Sequence, residues 1–158
     1  MNTTIPASRI PASLHAEHQQ LQQQLEHATR EQGALGDAAR EVSRLMKSHF
    51  EKEERYALPP LTLLPRLAWG IVSDDMTGML AVTKRLKAEL PLMLIEHKQI
   101  AAALQRFLLE ATRLGREDCE ACARALLMHA QQEEEVHYPA AVLVGEYLAL
   151  KLDSRQEA

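Results

Sequence analysis

Apolar residues recur along this chain with a helical rhythm, and the same rhythm carries its histidines. Leu14, His18, Leu21, Leu25 and Ala28 step by three and four residues, tracing one stripe of an amphipathic helix. Val42, Leu45, His49, Glu53 and Tyr56 keep a similar spacing, as do Leu90, Leu94, His97, Ala101, Leu104, Leu108 and Ala111. A fourth run is the most regular: Cys122, Leu126, His129, Glu133, Val136, Ala140, Leu143, Tyr147 and Leu150. In each run the histidines and glutamates lie on the face that otherwise turns toward the core. An unpartnered polar group there is costly, so these residues must satisfy one another or a bound ion.

The runs fall into two related halves. Glu17-His18-Gln19-Gln20-Leu21 recurs as Glu96-His97-Lys98-Gln99-Ile100, and His49-x3-Glu53-Glu54-x4-Pro59 recurs as His129-x3-Glu133-Glu134-x4-Pro139. His18 and His49 are 31 residues apart, and His97 and His129 are 32 apart. An antiparallel helix pair sets two histidines level only if its turn falls near their midpoint. Gly33-Ala34-Leu35-Gly36 lies at the first midpoint and Leu114-Gly115 beside the second, and glycine is a usual helix stop. The pattern predicts an all-α chain: an up-down-up-down four-helix bundle with six groups converging, and additional helices after the second and fourth bundle helices. The first hairpin spans about 10–58, a connector and extra helix about 59–90, the second hairpin about 91–138 and a C-terminal helix about 139–152, all in one domain.

Prolines mark the joints. Leu58-Pro59-Pro60 stops the second helix, because proline disfavours the helical conformation in the residue before it. Residues 60–73 read as an apolar, proline-broken connector, and a further helix starts near Asp74, a residue suited to an N-cap. That helix runs, kinked at Pro91, into the one carrying His97. Pro139 breaks or kinks the last helix, leaving Ala140–Leu152 as a terminal segment. These additions could cap the bundle, gate its mouth or form a homodimer surface.

Composition supports the helical reading and narrows the partners. Leu and Ala dominate the apolar residues, and aromatic residues are only 4%. A net charge of −4 with no basic stripe argues against nucleic acid. No stretch approaches the roughly 18–20 apolar residues of a membrane span. The N-terminal segment has Arg9 as its only cation and no apolar centre, unlike a secretory signal, so a cytoplasmic protein is expected. Cys119 and Cys122 sit among acidic residues that raise thiol pKa, and read as one helical face rather than a redox pair or half a zinc site. His27 and His137 read as exposed, and Glu51, Glu54, Glu134 and Glu135 as a solvated acidic face.

Four histidines and two glutamates converging in an apolar bundle suit a dinuclear transition-metal site. Imidazole suits iron, zinc, copper and nickel, while carboxylates suit harder ions and can bridge two of them. The mixed nitrogen and oxygen set favours iron over a thiolate-preferring ion, with manganese or zinc as alternatives. A metal-free bundle held by His–Glu hydrogen bonds is the plainer reading.

The run His18…His49-x3-Glu53…His97…His129-x3-Glu133, with its flanking Glu-Glu and Tyr138-Pro139, resembles the hemerythrin-like (HHE) cation-binding family over about residues 10–140. The resemblance implies a non-haem centre of two irons with carboxylate and oxo or hydroxo bridges, and a position that takes O2, NO or peroxide. It makes His18, His49, His97 and His129 terminal ligands and Glu53 and Glu133 bridges. Oxygen-carrying hemerythrins have a fifth histidine one turn along the third helix, where this chain has Ala101; Met93, one turn the other way, supplies no imidazole. That gap leaves a second position open, unless His15, one turn before His18, fills it. The carriers also place the second bridging carboxylate five residues after its histidine, which is Glu134 here, whereas the internal repeat favours Glu133. The resulting expectation is an iron protein that binds or senses O2, NO or peroxide. Catalysis (peroxide breakdown, or iron delivery for iron–sulfur cluster repair) and a purely structural metal stand as alternatives, since fold does not fix function.

Overall fold

In the computed structural model, which describes residues 9–156, each periodic run becomes helix and no described residue lies in a strand. The all-α expectation holds. The helices are α1 (Ala12–Thr29), α2 (Gly33–Lys52), a short α3 (Leu64–Ala68), the long α4 (Gly78–Arg113), α5 (Glu117–Gln132) and α6 (Tyr138–Gln156). α1 packs on α2 and α5, and α4 packs on the same two, so four helices enclose one core. Leu21, Leu25, Val42, Met46, Leu104, Phe107 and Leu126 fill it. Each such side chain contributes about 1.5–3 kcal/mol on burial, and this packing, more than intrinsic propensity, holds the helices.

The first turn falls at residues 30–32, ahead of the Gly33–Gly36 stretch expected to form it. α2 already begins at Gly33, whose φ of +68° reverses the chain. Gly36 lies inside α2, where a Cβ would meet the Glu31 carbonyl oxygen at 1.9 Å. The second turn is where the sequence places it, with Gly115 at φ +64° after α4.

The second helix does end at Leu58-Pro59-Pro60, but its geometry changes earlier. Glu53–Ala57 form a π turn, closed by the Leu58 N–H on the Glu53 carbonyl at 2.9 Å. Glu133–His137 repeat it, closed by the Tyr138 N–H on the Glu133 carbonyl. Both turns end two residues before a proline, Pro59 and Pro139. Proline cannot donate to the carbonyl four residues back and crowds it, and a wider turn accommodates both defects.

One inserted residue turns the following helix by about 100°. The buried face of α6 is therefore Tyr138, Ala141, Val144, Leu148 and Leu152, whereas Val136, Leu143 and Leu150 of the expected stripe are exposed. α6 also starts at Tyr138, two residues earlier than expected.

The connector is more ordered than a proline-broken loop. Pro59–Leu63 form a 3-10 turn leading into α3, and a second 3-10 turn, Asp74–Met76, precedes α4. Asp74 therefore begins that short turn and does not cap the long helix. α4 continues uninterrupted through Pro91. The added segments and the first half of α4 pack on α6, burying Leu58, Leu61, Leu86, Met93 and Ala141 in one cluster and Leu67, Val72, Met76 and Leu148 in another. α6 lies close against α4 at Gly145, where a Cβ would lie 2.3 Å from Thr83 Oγ1. Among the described residues, no helix is long and apolar enough to cross a membrane.

Candidate metal centre

Amphipathic periodicity delivers one histidine from each of α1, α2, α4 and α5 to the interior. His18, His49, His97 and His129 are each 3% exposed or less, and Glu53 and Glu133, at the start of the two π turns, are 0% and 1% exposed. Apart from these six and the phenols of Tyr56 and Tyr138, the buried polar side chain among the described residues is Thr83, whose hydroxyl donates to backbone carbonyls of its own helix. The interior polarity of this chain is thus concentrated in one place.

The six residues form two quartets that share both carboxylates. Ligand atoms of His49, His97, Glu53 and Glu133 lie within 4.8 Å of one another, and so do those of His18, His129, Glu53 and Glu133. Glu53 Oε1 is 2.9 Å from His49 Nε2, while its Oε2 faces His18 Nε2 at 3.6 Å. Glu133 Oε1 is 2.8 Å from His129 Nε2, while its Oε2 faces His97 Nε2 at 3.4 Å. Each carboxylate divides its oxygens between the quartets, the disposition of a group able to span two cations.

The quartets differ in what else touches them. Beside His49 and His97 stands Tyr138, whose hydroxyl donates to Glu53 Oε1 and lies 3.3 Å and 3.1 Å from the two Nε2 atoms. In the other quartet, His18 Nε2, His129 Nε2, Glu53 Oε2 and Glu133 Oε1 have no hydrogen-bond partner. Phe50 walls this side, stacked on the His18 ring with centroids 4.1 Å apart. Four converging buried polar atoms without partners cost more than a folded core readily tolerates. A cation supplies the missing partner, so the residues present fit a metal ion.

Without a cation the cluster retains protons. Burial lowers the pKa of His49 and His129, but Glu53 beside one and Glu133 beside the other outweigh it and raise both to about 9. Burial and then the charge of Glu133 raise Glu53. Burial also acts to raise Glu133, but the imidazoles of His129, His18 and His97 around it hold it well below the usual carboxylate range. The Tyr138 phenol is raised by burial and by the charge of Glu53.

Outside the quartets, every histidine's Nδ1 meets a second carboxylate from a neighbouring element. His18 meets Glu54 at 3.1 Å, His49 meets Glu96 at 3.1 Å and His97 meets Glu134 at 2.8 Å. His129 Nδ1 is 3.2 Å from Glu17 Oε1 without the alignment of a hydrogen bond. Glu54 and Glu134 are therefore partners of the site, not members of a merely solvated face; the π turns bring them round to it. Glu134 reaches the outer edge of His97, and Glu133 is the carboxylate in the centre. His15 does not enter either quartet: its side chain is 52% exposed and its Nδ1 lies 3.8 Å from Glu54. The side chain that accompanies His97 is Tyr138, and Ala101 remains half-buried.

Among the remaining candidates, His27 is exposed and His137 partly buried, its pKa lowered by burial. Cys119 and Cys122 are core residues, and burial pushes the Cys122 thiol up to about 11. Sequence reasoning passed over Tyr138, Glu17 and Glu96 as site residues. The repeated Glu17-His18 and Glu96-His97 pairs carried the signal for two of them.

In a comparison with known families, the family model of the hemerythrin HHE cation-binding domain matches residues 9–141 of the 158. No curated protein and no solved structure matches the chain.

Proposed function

The chain belongs to the hemerythrin HHE cation-binding family, and we propose that it is a di-iron protein that binds or senses O2, NO or peroxide. In this reading His18, His49, His97 and His129 are terminal ligands, Glu53 and Glu133 are bridges, and the enclosing fold is an up-down-up-down four-helix bundle. The observation that carries it is the quartet of unpartnered buried atoms on His18, His129, Glu53 and Glu133, next to a second quartet sharing the same two carboxylates. A set of imidazole and carboxylate donors without thiolate suits iron, with manganese or zinc as competitors.

When bound, two irons supply a change of redox state and a place for a small molecule beside them. The chain's own part is to position and to exclude water. The His18 and His129 quartet offers two imidazoles and two shared carboxylates, fewer donors than an octahedral ion takes, which leaves room for a further ligand. Phe50 keeps that side apolar. On the other side Tyr138 holds a proton at its phenol oxygen, aimed at Glu53. That hydroxyl beside the shared carboxylate favours a second reading, turnover of peroxide, in which a nearby O–H assists proton movement.

Elemental analysis after anaerobic reconstitution with ferrous iron tests the proposal. Two irons per chain, with visible absorption that changes on titration with O2, NO or peroxide, supports it. One iron or none, with the helical fold intact, overturns it.

A further inference from the structure

The four outer carboxylates follow one another around the bundle in a single direction. His18 on α1 meets Glu54, just past α2; His49 on α2 meets Glu96 on α4. His97 on α4 meets Glu134, just past α5, and His129 on α5 meets Glu17 on α1. Each histidine is held from the next element round, and the circuit closes between α5 and α1. In all four cases the contact is made by Nδ1, while Nε2 points inward. Glu51, near the end of α2, and Glu135, beside Glu134, are exposed.

An ionised carboxylate can only accept, so each Nδ1 held this way must carry the hydrogen. A neutral imidazole has one N–H, and its Nε2 is then a lone pair directed into the quartets. We propose that Glu17, Glu54, Glu96 and Glu134 are positioning residues that keep a hydrogen on each Nδ1, so that Nε2 is the atom each ring gives to an incoming ion, and that tie each helix to its neighbour. This rests on the metal reading above. The circuit is uneven in two places. Glu96 is also held by Lys52, which shares its charge. Glu17 is out of alignment with His129, and it borders a groove of about 610 Å³ between α1 and α5. The α1–α5 seam is therefore the loosest link, and Glu17 the member whose loss matters least.

The test uses zinc, which is diamagnetic, titrated into the full chain against a competing chelator. Glu54→Ala and Glu134→Ala should each weaken zinc binding about 10–100-fold. Glu54→Gln and Glu134→Gln should retain most of the affinity, because an amide oxygen still accepts from Nδ1. Glu17→Ala should lose less than either, and Glu51→Gln nothing. Nitrogen-detected imidazole spectra of the zinc form should show Nδ1–H on all four rings in the wild type, and a lost or fast-exchanging signal for the histidine facing each alanine. Tight wild-type binding that the alanine variants leave unchanged, or tautomers that do not respond, overturns the ring alone. A wild-type chain that binds neither zinc nor iron overturns the metal reading and the ring with it.

Discussion

Leu58 and Tyr138 occupy the same place in the two halves: each closes a π turn on a buried glutamate five residues earlier, and each precedes a proline. Leu58 packs into an apolar cluster, whereas Tyr138 carries a hydroxyl to Glu53 and to within 3.3 Å of His49 Nε2 and 3.1 Å of His97 Nε2. The difference makes one quartet hydroxyl-lined and leaves the other bare.

Tyr138→Phe should fold, since an apolar side chain serves at the equivalent position. It leaves Glu53 short of a hydrogen bond, so the metal-free protein should lose about 1–3 kcal/mol in urea unfolding. With zinc bound the loss should shrink, because a cation then holds Glu53. An equal loss in both forms would reduce Tyr138 to a packing residue.

The two quartets predict divided losses of metal. His18→Ala removes a ligand from one quartet only and should cut the iron content to about half, while Glu133→Ala, acting on both, should abolish it. His27→Ala, on the exposed face of α1, should leave the content unchanged. Elemental analysis of the three variants checks this, and full iron content in Glu133→Ala contradicts the shared-carboxylate arrangement.

The pH dependence has opposite signs in the two forms of the protein. In the metal-free chain, carboxylate neighbours raise His49 and His129 to about 9, against about 6.5 when unfolded. A raised folded pKa stabilises fully below about pH 6.5, and the contribution is lost as pH climbs through about 9. The urea midpoint of the metal-free chain should therefore fall between pH 6.5 and 9. Ion binding must displace the same protons, so metal affinity should rise across that window. A metal-free midpoint that climbs with pH over this range would remove the protonated pairs from the account.

Gly145→Ala drives a methyl group into Thr83, with contacts of 2.3 Å to Oγ1 and 2.5 Å to Cβ. Overpacking of this kind costs about 1–3 kcal/mol. Adding Thr83→Ala should recover part of the loss, a non-additivity that a double-mutant cycle in urea resolves. Strict additivity would mean that α6 and α4 shift apart freely.

Much of the architecture is written in the spacing. Helix-period stripes placed all four histidines on buried faces, because burial and periodicity are one signal in an amphipathic helix, and the duplication showed which carboxylate repeats. The register of α6 was hidden. Val136, Ala140, Leu143, Tyr147 and Leu150 fit an ideal helix well, but the π turn at Glu133–His137 leaves Val136, Leu143 and Leu150 in solvent and Ala140 and Tyr147 only partly buried. Its cue was the equal distance from Glu53 to Pro59 and from Glu133 to Pro139, which reads as an ordinary helix stop. Glu54 and Glu134 were obscure for the same reason, since a residue next to a buried position normally faces water. Tyr138 reached the site through the turn and not through the stripe.

Each quartet takes one histidine from the α1–α2 hairpin and one from α4–α5, together with one carboxylate from each. Two identical copies of a single hairpin, related by a twofold axis, would generate both positions without further help. The layout is what a half-length homodimer would bequeath to a fused, tandem descendant. Fusion frees the halves to differ, and Tyr138 opposite Leu58 and Lys52 opposite Gln132 are where one position can acquire a behaviour its twin lacks.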